Sequence, residues 1–246
     1  MFTSELTQGN PVAVVHGADG FSEKQLAAFA RWTNLSETTF LLEPTTTAAD
    51  YRARIFTPVN ELPFTGHPTL GSARVWLDHG GTPQSHEQNV QECGAGLVRV
   101  RQDGGRLAFA APPLVRSDAL DESDIGLIAK ALKLDSDAVI EGRWTDNGPG
   151  WVALLLADAE SALDAEPPMA TVGGFPKIGL IGPRPAGADA GFEVRALTSM
   201  NSLGEEPVTG SLNAAMAQWL IPAGKAPHAY TAVQGKRVAV PWPNPY

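Results

Sequence analysis

The sequence predicts an α+β fold made of two similar halves, and the main evidence is a short block of residues that occurs twice. ELPFTGH at residues 61–67 is echoed by EEPVTGS at residues 205–211, and a helix-like segment follows each copy. Segments with strand character outnumber those with helix character and show no regular β-α-β alternation. This order favours a mostly antiparallel sheet packed on a few helices.

The composition is that of a folded protein, and it disfavours several classes of function. Of the 246 residues, 43% are hydrophobic and 18% are charged, which favours packed cores over disorder. The net charge of −9 and the lack of Lys and Arg clusters argue against a nucleic-acid partner. No segment approaches the ~18 apolar residues of a membrane span, and the start of the chain lacks the features of a signal peptide. We therefore expect a cytoplasmic protein with no membrane partner.

In the first half, strand and helix signals follow one another up to the first block. The β-branched run at residues 11–15 predicts a strand. Ser22 and Gln25 have the spacing of a capping box, so a helix is expected to begin there. Residues 36–42 predict a second strand through their threonines and apolar end. Glu37 is the acidic residue of that segment. If only the pattern of an amphipathic strand is considered, its side chain is expected to face solvent.

The first block leads from a predicted strand at residues 51–56 into a predicted helix. Pro68 stands where proline is favoured as the first helical residue, and apolar residues follow it at helical spacing until a glycine pair. Beyond this helix, strands are expected at residues 97–100 and 107–109, because the Asp-Gly-Gly segment between them is typical of a hairpin.

A proline pair divides the chain into its two predicted halves, residues 1–112 and 113–246. Ser211 is the expected N-cap of the helix that follows the second block. The other elements expected in the second half are a helix at residues 121–134 and strands at residues 151–156, 178–181, 192–195 and within 230–240. The last of these strands can pack either on its own half or back on the first half.

Each block ends at a glycine followed by a helix, and this arrangement offers a binding site for an anion. Gly66 and Gly210 allow a ligand or another backbone to approach closely, and the free amides and the helix dipole favour negative charge. If the halves face each other, His67 and Ser211 would point at a small carboxylate held between the two helix ends. The alternative is that both are ordinary helix starts.

Neither the cysteine content nor the histidines indicate a metal site. A single cysteine forms no internal disulfide and no thiolate cage for a metal. Cys93 is better explained as a small buried residue than as a nucleophile. The five histidines lack the spacing of metal ligands, which disfavours metal-dependent hydrolysis.

Four segments along the chain resemble the signature blocks of a known family. They are GNPVAVV at residues 9–15, LSETTFLL at 35–42, RIFTPVNELPFTGHPTLGSA at 54–73 and EEPVTGSLNAAMAQWL at 205–220. In this order they look like the PhzF family of phenazine-biosynthesis-like isomerases and epimerases. The resemblance implies a diaminopimelate-epimerase-like fold with two pseudo-symmetric halves, each an antiparallel or mixed β-sheet curled around a central α-helix. It also implies an active site in the cleft between the halves, and a homodimer.

The resemblance further implies a set of site residues and a reaction. Glu37 corresponds to the carboxylate that transfers the proton, which favours a functional role over a solvent-facing one. His67 and Ser211 would bind and orient a small carboxylate-bearing substrate. Gly66 and Gly210 would help to hold its carboxylate through backbone amides. The resemblance implies no cofactor and no metal. A carboxyl group can transfer the proton by itself, because burial in a cleft raises its pKa into the range useful for acid–base catalysis.

Three features depart from the family pattern. The second block carries Glu206 where the family has aspartate, and displacing a carboxylate by roughly one ångström can cost on the order of 100-fold in rate. Cys93 alone cannot supply the two cysteines of diaminopimelate epimerase, so that two-base reaction is excluded. The stretch after Gln234 and Gly235 is shorter than in the family, so the terminal strands are expected to be weaker or to be exchanged for partner contacts.

The residues and the resemblance together support a cofactor-independent isomerase or epimerase. Glu37 would act as base and then as acid, and His67, Glu206 and Ser211 would complete the site. Two alternatives stay open. One is a catalytically silent protein that binds small molecules, motivated by the departure at Glu206. The other is a dimeric scaffold protein of the same fold.

Overall fold

The computed structural model describes residues 9–103, 105–168, 170–198 and 204–238. The chain divides into two units, Met1–Pro112 and Pro113–Tyr246, and the division falls at the proline pair. Each unit contains a mixed β-sheet with helices packed against it, which confirms the predicted α+β class.

The first unit is a mixed sheet with a helix on each face. Its helices are α1 (Glu23–Thr33) and α2 (Gly66–Asp78). Its strands are β1 (Ala13–Val15), β2 (Thr38–Leu42), β3 (Tyr51–Phe56), β4 (Glu61–Leu62), β5 (Gln88–Cys93), β6 (Gly96–Asp103) and β7 (Arg106–Phe109). The order across the sheet is β1-β2-β3-β5-β6-β7, with β4 beside β3. β1 runs parallel to β2 and β3 parallel to β5, and the other neighbouring pairs are antiparallel.

Burial identifies α2 as the central helix of the first unit. The first eight residues of α2 are all buried. Leu70 and Ala73 of this helix share a hydrophobic cluster with Leu41 and Tyr51 of the sheet. The opposite face of the sheet forms a second cluster with α1, to which Phe40 contributes. The side chains of β2 therefore alternate between the two helices, as the period of a strand requires.

The second unit repeats this arrangement with a sheet of its own. Its helices are α3 (Glu122–Ala131), α4 (Ala159–Asp164) and α5 (Gly210–Leu220). Its strands are β8 (Val139–Trp144), β9 (Trp151–Leu156), β10 (Lys177–Pro183), β11 (Phe192–Thr198), β12 (Glu205–Glu206) and β13 (Ala232–Gln234). The order is β12-β11-β10-β9-β8, with β13 beside β11. β9 runs parallel to β10 and β13 parallel to β11, and the other neighbouring pairs are antiparallel.

The sheet of the second unit is also buried on both faces. All six residues of β9 are buried. Trp151 and Ala153 of β9 share a cluster with Leu212 and Met216 of α5. On the other face, Leu154 belongs to a cluster with residues of α3 and α4. A strand buried on both faces reads as a continuous apolar run, which is why the sequence predicted β9 correctly.

The same run of six elements occurs in both units. β1-β2-β3-β4-α2-β5 in the first unit corresponds to β9-β10-β11-β12-α5-β13 in the second, with the same parallel and antiparallel pairings in the same order. In each unit, a glycine that follows the last strand of this run lies against the proline of the repeated block. A Cβ on Gly94 would lie 2.8 Å from Cα of Pro63, and one on Gly235 would lie 2.5 Å from the carbonyl oxygen of Pro207. The duplication therefore includes close packing of the backbone.

One helix start agrees with the prediction from the sequence, and two differ from it. The capping box of α1 is confirmed, because the Ser22 amide donates to Oε1 of Gln25 at 2.9 Å. Pro68 is the third residue of α2 and not the first. It fits there because the first four amides of a helix have no intrahelical acceptor. The N-cap of α5 is Thr209, and Ser211 is the second helical residue.

Five of the elements named above have no counterpart among the predicted ones: β4, β5, β8, β12 and α4. β5 is a polar strand with Asn89 and Gln91 buried, so it carries no apolar signal. In the predicted tail, β13 pairs with β11 of its own unit, and the residues from 239 onward lie outside the described ranges. Within those ranges, the helices lack the length and apolar character needed to cross a membrane.

Candidate functional site

Glu37 and His67 lie side by side at the N-terminus of α2. Thr65 is the N-cap of this helix, Gly66 is its first residue and His67 its second. Glu37 immediately precedes β2, and its Oε2 atom is 3.4 Å from Nε2 of His67. Glu37 is 8% exposed and His67 is 4% exposed. The solvent-facing interpretation of Glu37 is therefore wrong.

The surroundings of His67 determine which ring nitrogen carries a proton. Nε2 lies 3.3 Å from the carbonyl oxygen of Pro11, in addition to its contact with Glu37. Burial lowers the pKa of His67 to about 4, although the hydrogen bond to Pro11 raises it. The ring is therefore neutral at pH 7. Because a carbonyl and a carboxylate both accept hydrogen bonds, Nε2 is the protonated nitrogen and Nδ1 is an acceptor.

Glu206 occupies the equivalent end of the second unit. It lies on β12 opposite Ala196 of β11, and it is half-buried. The hydroxyl group of Thr209 donates a hydrogen bond of 2.8 Å to its Oε2 atom. Burial raises the pKa of Glu206, whereas this hydrogen bond and the positive charge of Lys177 lower it. A carboxyl group under these opposing influences suits acid–base catalysis.

Gln234 connects β13 to the N-terminus of α5 through all of its polar side-chain atoms. Its Oε1 atom accepts hydrogen bonds from the Thr209 amide at 3.1 Å and from Nδ2 of Asn213 at 2.9 Å. Its Nε2 atom donates to the Glu206 carbonyl oxygen at 3.0 Å and to Oγ1 of Thr209 at 3.2 Å. Because Thr209 Oγ1 accepts from Gln234, its own hydrogen is free to point at the Glu206 carboxylate.

Gln234 is a residue of the site that the sequence motifs did not indicate. A signal for it was present, because Gln234 is the last residue of the final strand in the repeated run and a glycine follows it. Its partners lie 21 to 28 residues away in the sequence. A contact of that separation leaves no local pattern.

Ser211 is fixed by two residues from other parts of the second unit. Nε1 of Trp151 donates to the Ser211 hydroxyl oxygen at 3.2 Å, and Nδ2 of Asn147 donates to its carbonyl oxygen at 3.0 Å. An indole nitrogen only donates. The hydroxyl group of Ser211 therefore keeps its hydrogen for another acceptor, although the side chain is only 4% exposed.

The predicted site residues thus form two groups, one in each unit. The first group consists of Glu37, Gly66 and His67, and the second of Glu206, Gly210 and Ser211. In each group a carboxyl group lies close to the first turn of a central helix, where unpaired amides and the helix dipole favour negative charge.

Cys93 lies apart from this chemistry. Its sulfur contacts the carbonyl oxygen of Gly96 at 3.5 Å, and the residue is half-buried and not fully buried as expected. Burial raises the pKa of its thiol, which disfavours the thiolate that a nucleophile requires. Within the described ranges, His, Cys, Asp and Glu form no group of three or more that could hold a metal ion.

Comparison with known proteins adds a family match over nearly the whole chain. A family model described as phenazine biosynthesis-like protein, PhzC-PhzF, matches residues 1–241. The protein called antisense-enhancing sequence 1 of Schizosaccharomyces pombe is 34% identical, over 97% of this chain and 85% of its own length. The trans-2,3-dihydro-3-hydroxyanthranilate isomerase of Pseudomonas aeruginosa is 57% identical over 72 residues, which cover 29% of this chain and 26% of that protein.

A solved structure supports the fold independently. The crystal structure of a phenazine biosynthesis protein of the PhzF family from Enterococcus faecalis superimposes with a TM-score of 0.72. It covers 94% of this chain and 83% of that chain at 20% sequence identity. At this identity the similarity concerns the fold alone.

Proposed function

Because the chain belongs to the family of phenazine biosynthesis-like proteins, some of whose members are named isomerases, we propose that it is a cofactor-independent isomerase or epimerase. It would transfer a proton between two positions of a small substrate that bears a carboxylate. The observation that carries this proposal is the contact of the buried Glu37 carboxyl group with His67 at the N-terminus of α2.

In the proposed reaction Glu37 acts first as a base and then as an acid. The carboxylate removes a proton from a carbon atom of the substrate, and the electron pair of the broken C–H bond shifts into the adjoining π-system. Glu37 then returns the proton to a different carbon atom, so the atoms balance without a second reactant. A carboxyl group shielded from water is suited to both steps, because burial disfavours its charged form and so brings the two protonation states closer in free energy at neutral pH.

His67 would orient Glu37 and assist the transfer. Its Nε2–H group donates to the Pro11 carbonyl oxygen and lies 3.4 Å from the Glu37 carboxyl group, and its Nδ1 atom is an acceptor when the ring is neutral. A ring with one donor and one acceptor can hold a polar group of the substrate. The amides near Gly66 and Gly210 are the proposed holders of the substrate carboxylate, because helix N-termini bind anions.

Glu206 and Ser211 would complete the site as groups that bind polar atoms of the substrate. Ser211 has a hydroxyl hydrogen to donate, since Trp151 occupies its oxygen as an acceptor. Glu206 keeps the negative charge of the family's aspartate, and Thr209 directs a hydrogen bond at it. The additional methylene of Glu206 displaces that charge, which is a reason to expect slower turnover of the substrate of the named isomerases than an aspartate at this position would give.

Proton NMR in D2O with trans-2,3-dihydro-3-hydroxyanthranilate tests the proposal directly. We expect isomerisation with deuterium incorporated at carbon, and a loss of about 100-fold or more in rate for Glu37→Gln. The matched control is Cys93→Ser, which should retain the rate of the unmodified protein. Exchange that persists in folded Glu37→Gln, or that disappears in Cys93→Ser, would contradict the assignment.

The same experiment separates the proposal from its alternatives. A folded protein that binds carboxylic acids but exchanges no deuterium would be the silent binding protein. A protein that neither binds nor exchanges such acids, and that forms dimers, would be the scaffold protein. In either of these cases Glu206→Asp, which restores the residue of the family pattern, is the next variant to assay.

A further inference from the structure

The repeated run of elements makes it possible to match residues of the two units by their register. In the first unit, Thr39 of β2 lies opposite Ile55 of β3, and Ile55 lies opposite Leu62 of β4. In the second unit the corresponding row is Gly179, Ala196 and Glu206. The neighbour on the other side agrees, because β1 pairs with β2 as β9 pairs with β10.

This register places Lys177 at the position that Glu37 has in the first unit. Glu37 lies two residues before Thr39, and Lys177 lies two residues before Gly179. Ser211 corresponds to His67 in the same way, because each is the second residue of the helix that follows its block. The two units therefore carry charges of opposite sign at equivalent positions beside their central helices.

Lys177 and Glu206 lie on the same face of their sheet. A Cβ on Gly179 would lie 2.5 Å from Leu212 of α5, so this side of β10 faces α5. Lys177 is two residues away on the same strand and therefore faces the same way. Ala196 belongs to the cluster formed with α5, and Glu206 lies directly opposite Ala196. Paired residues direct their side chains to one face.

The surroundings of Lys177 direct its ammonium group toward the site. Nζ lies 5.5 Å from the centre of the Trp151 ring, and that same ring donates to Ser211. Lys177 lies opposite Thr198 of β11, two residues from Ala196, which lies opposite Glu206. The two charged residues are therefore diagonal neighbours on one face, with a single strand between them. The positive charge of Lys177 acts on Glu206 in the direction that favours the carboxylate.

In the described part of the chain, the side chains that form hydrogen bonds with Glu206 are neutral. From α5 and its N-cap it meets the hydroxyl group of Thr209, and from β13 the amide of Gln234. Arg195, next to Ala196 on β11, points to the opposite face, where it pairs with Glu205. Lys177 is a cation on the face that carries Glu206.

We propose that Lys177 is a positioning residue of the second unit, whose ammonium group stabilises the negative charge of the Glu206 carboxylate. Its part in the reaction rests on the proposed function. The electrostatic link itself is a property of the free protein. Half-burial weakens the stabilisation of Glu206 by water, and an opposite charge on the same face of the sheet offsets that loss.

The test is a titration of the Glu206 carboxyl group in the free protein by ¹³C NMR. Glutamate labelled at the carboxyl carbon reports the protonation state, and the signal of Glu206 is identified by its absence in Glu206→Gln. The variants are Lys177→Met and Lys177→Arg. The matched control is Lys225→Met, because Lys225 also lies over a tryptophan ring of this unit, 5.9 Å from the centre of Trp219.

We expect the titration midpoint of Glu206 to move to higher pH in Lys177→Met. It should stay near that of the unmodified protein in Lys177→Arg and in Lys225→Met. The acid limb of the pH profile of kcat/KM should move in the same direction as the midpoint. A midpoint in Lys177→Met that equals the one in Lys225→Met would overturn the inference.

The NMR titration needs no substrate, so its result is separate from the test of isomerase activity. An inactive protein in which Lys177→Met still raises the midpoint would contradict the proposed function and support the link. An active protein in which Lys177→Met leaves the midpoint unchanged would support the proposed function and contradict the link.

Discussion

Arg195 and Glu205 form an ion pair inside the second unit, with Nη2 of Arg195 2.6 Å from Oε2 of Glu205 and both side chains 3% exposed. Arg195 also donates to the carbonyl oxygens of Ala162, Leu163 and Ala165 at the end of α4. The pair thereby ties β11 and β12 to α4. Since β12 consists of Glu205 and Glu206, this interaction also fixes the backbone of the site carboxylate.

The first unit has the same pair in an exposed setting. Arg54 and Glu61 occupy the equivalent positions of β3 and β4, at 2.6 Å between Nη2 and Oε2, with side chains 18% and 38% exposed. The two pairs have the same residue types and the same contact distance. They differ in burial and in the carbonyl contacts of Arg195, so they allow a buried and an exposed setting of the same pair to be compared within one chain.

We expect Arg195→Met to destabilise the protein by about 3–5 kcal/mol, because it leaves the Glu205 charge buried without its partner. Arg54→Met should cost less than about 1 kcal/mol, since water can solvate the exposed Glu61. Urea unfolding measures both free energies of unfolding. Equal losses for the two variants would show that burial of the second pair is not the deciding factor.

His67 should make the stability of the protein depend on pH. Burial lowers its pKa to about 4 from the ordinary value of 6.5. Between these two values the unfolded chain binds more protons than the folded one, so the free energy of unfolding falls as the pH falls from 6.5 toward 4. The expected loss from this residue is about 3 kcal/mol.

Urea unfolding at pH 7 and at pH 4.5 measures this dependence. Folded His67→Gln should lose less stability between the two pH values than the unmodified protein. The control is His86→Gln, because His86 is exposed, and this variant should keep the original dependence. A dependence that is the same in all three proteins would exclude His67 as its source.

The hydroxyl group of Thr209 should control the charge of Glu206. Thr209→Val removes the donor to Oε2, so the pKa of Glu206, which burial already raises, should rise further. We expect the acid limb of kcat/KM to move to higher pH and the rate below the midpoint to fall by about tenfold. Thr209→Ser keeps the hydroxyl group and should keep the profile. A shift of equal size in both variants would point to packing in place of the hydrogen bond.

The sequence predicted those parts of the fold and site that depend on neighbours along the chain. The capping box at Ser22, the buried run from Trp151 to Leu156 and the repeated blocks are local patterns, and each corresponds to an element of the structure. The family resemblance added Glu37 to this set, although its position on a threonine-rich segment alone indicated a solvent-facing residue. The polar strand β5 and the short helix α4 lacked such patterns and were not predicted.

By itself, the sequence determined the α+β class, the duplication and the identity of the carboxyl groups and helix starts around which the proposed chemistry is arranged. The tertiary structure decided the environment of those groups: the burial of Glu37, the neutral ring of His67, and the contacts of Gln234 and Lys177 with the surroundings of Glu206. The physical reason is separation along the chain. Helix caps and strand periods arise from residues a few positions apart, whereas the charge state of a side chain depends on groups that only folding brings close.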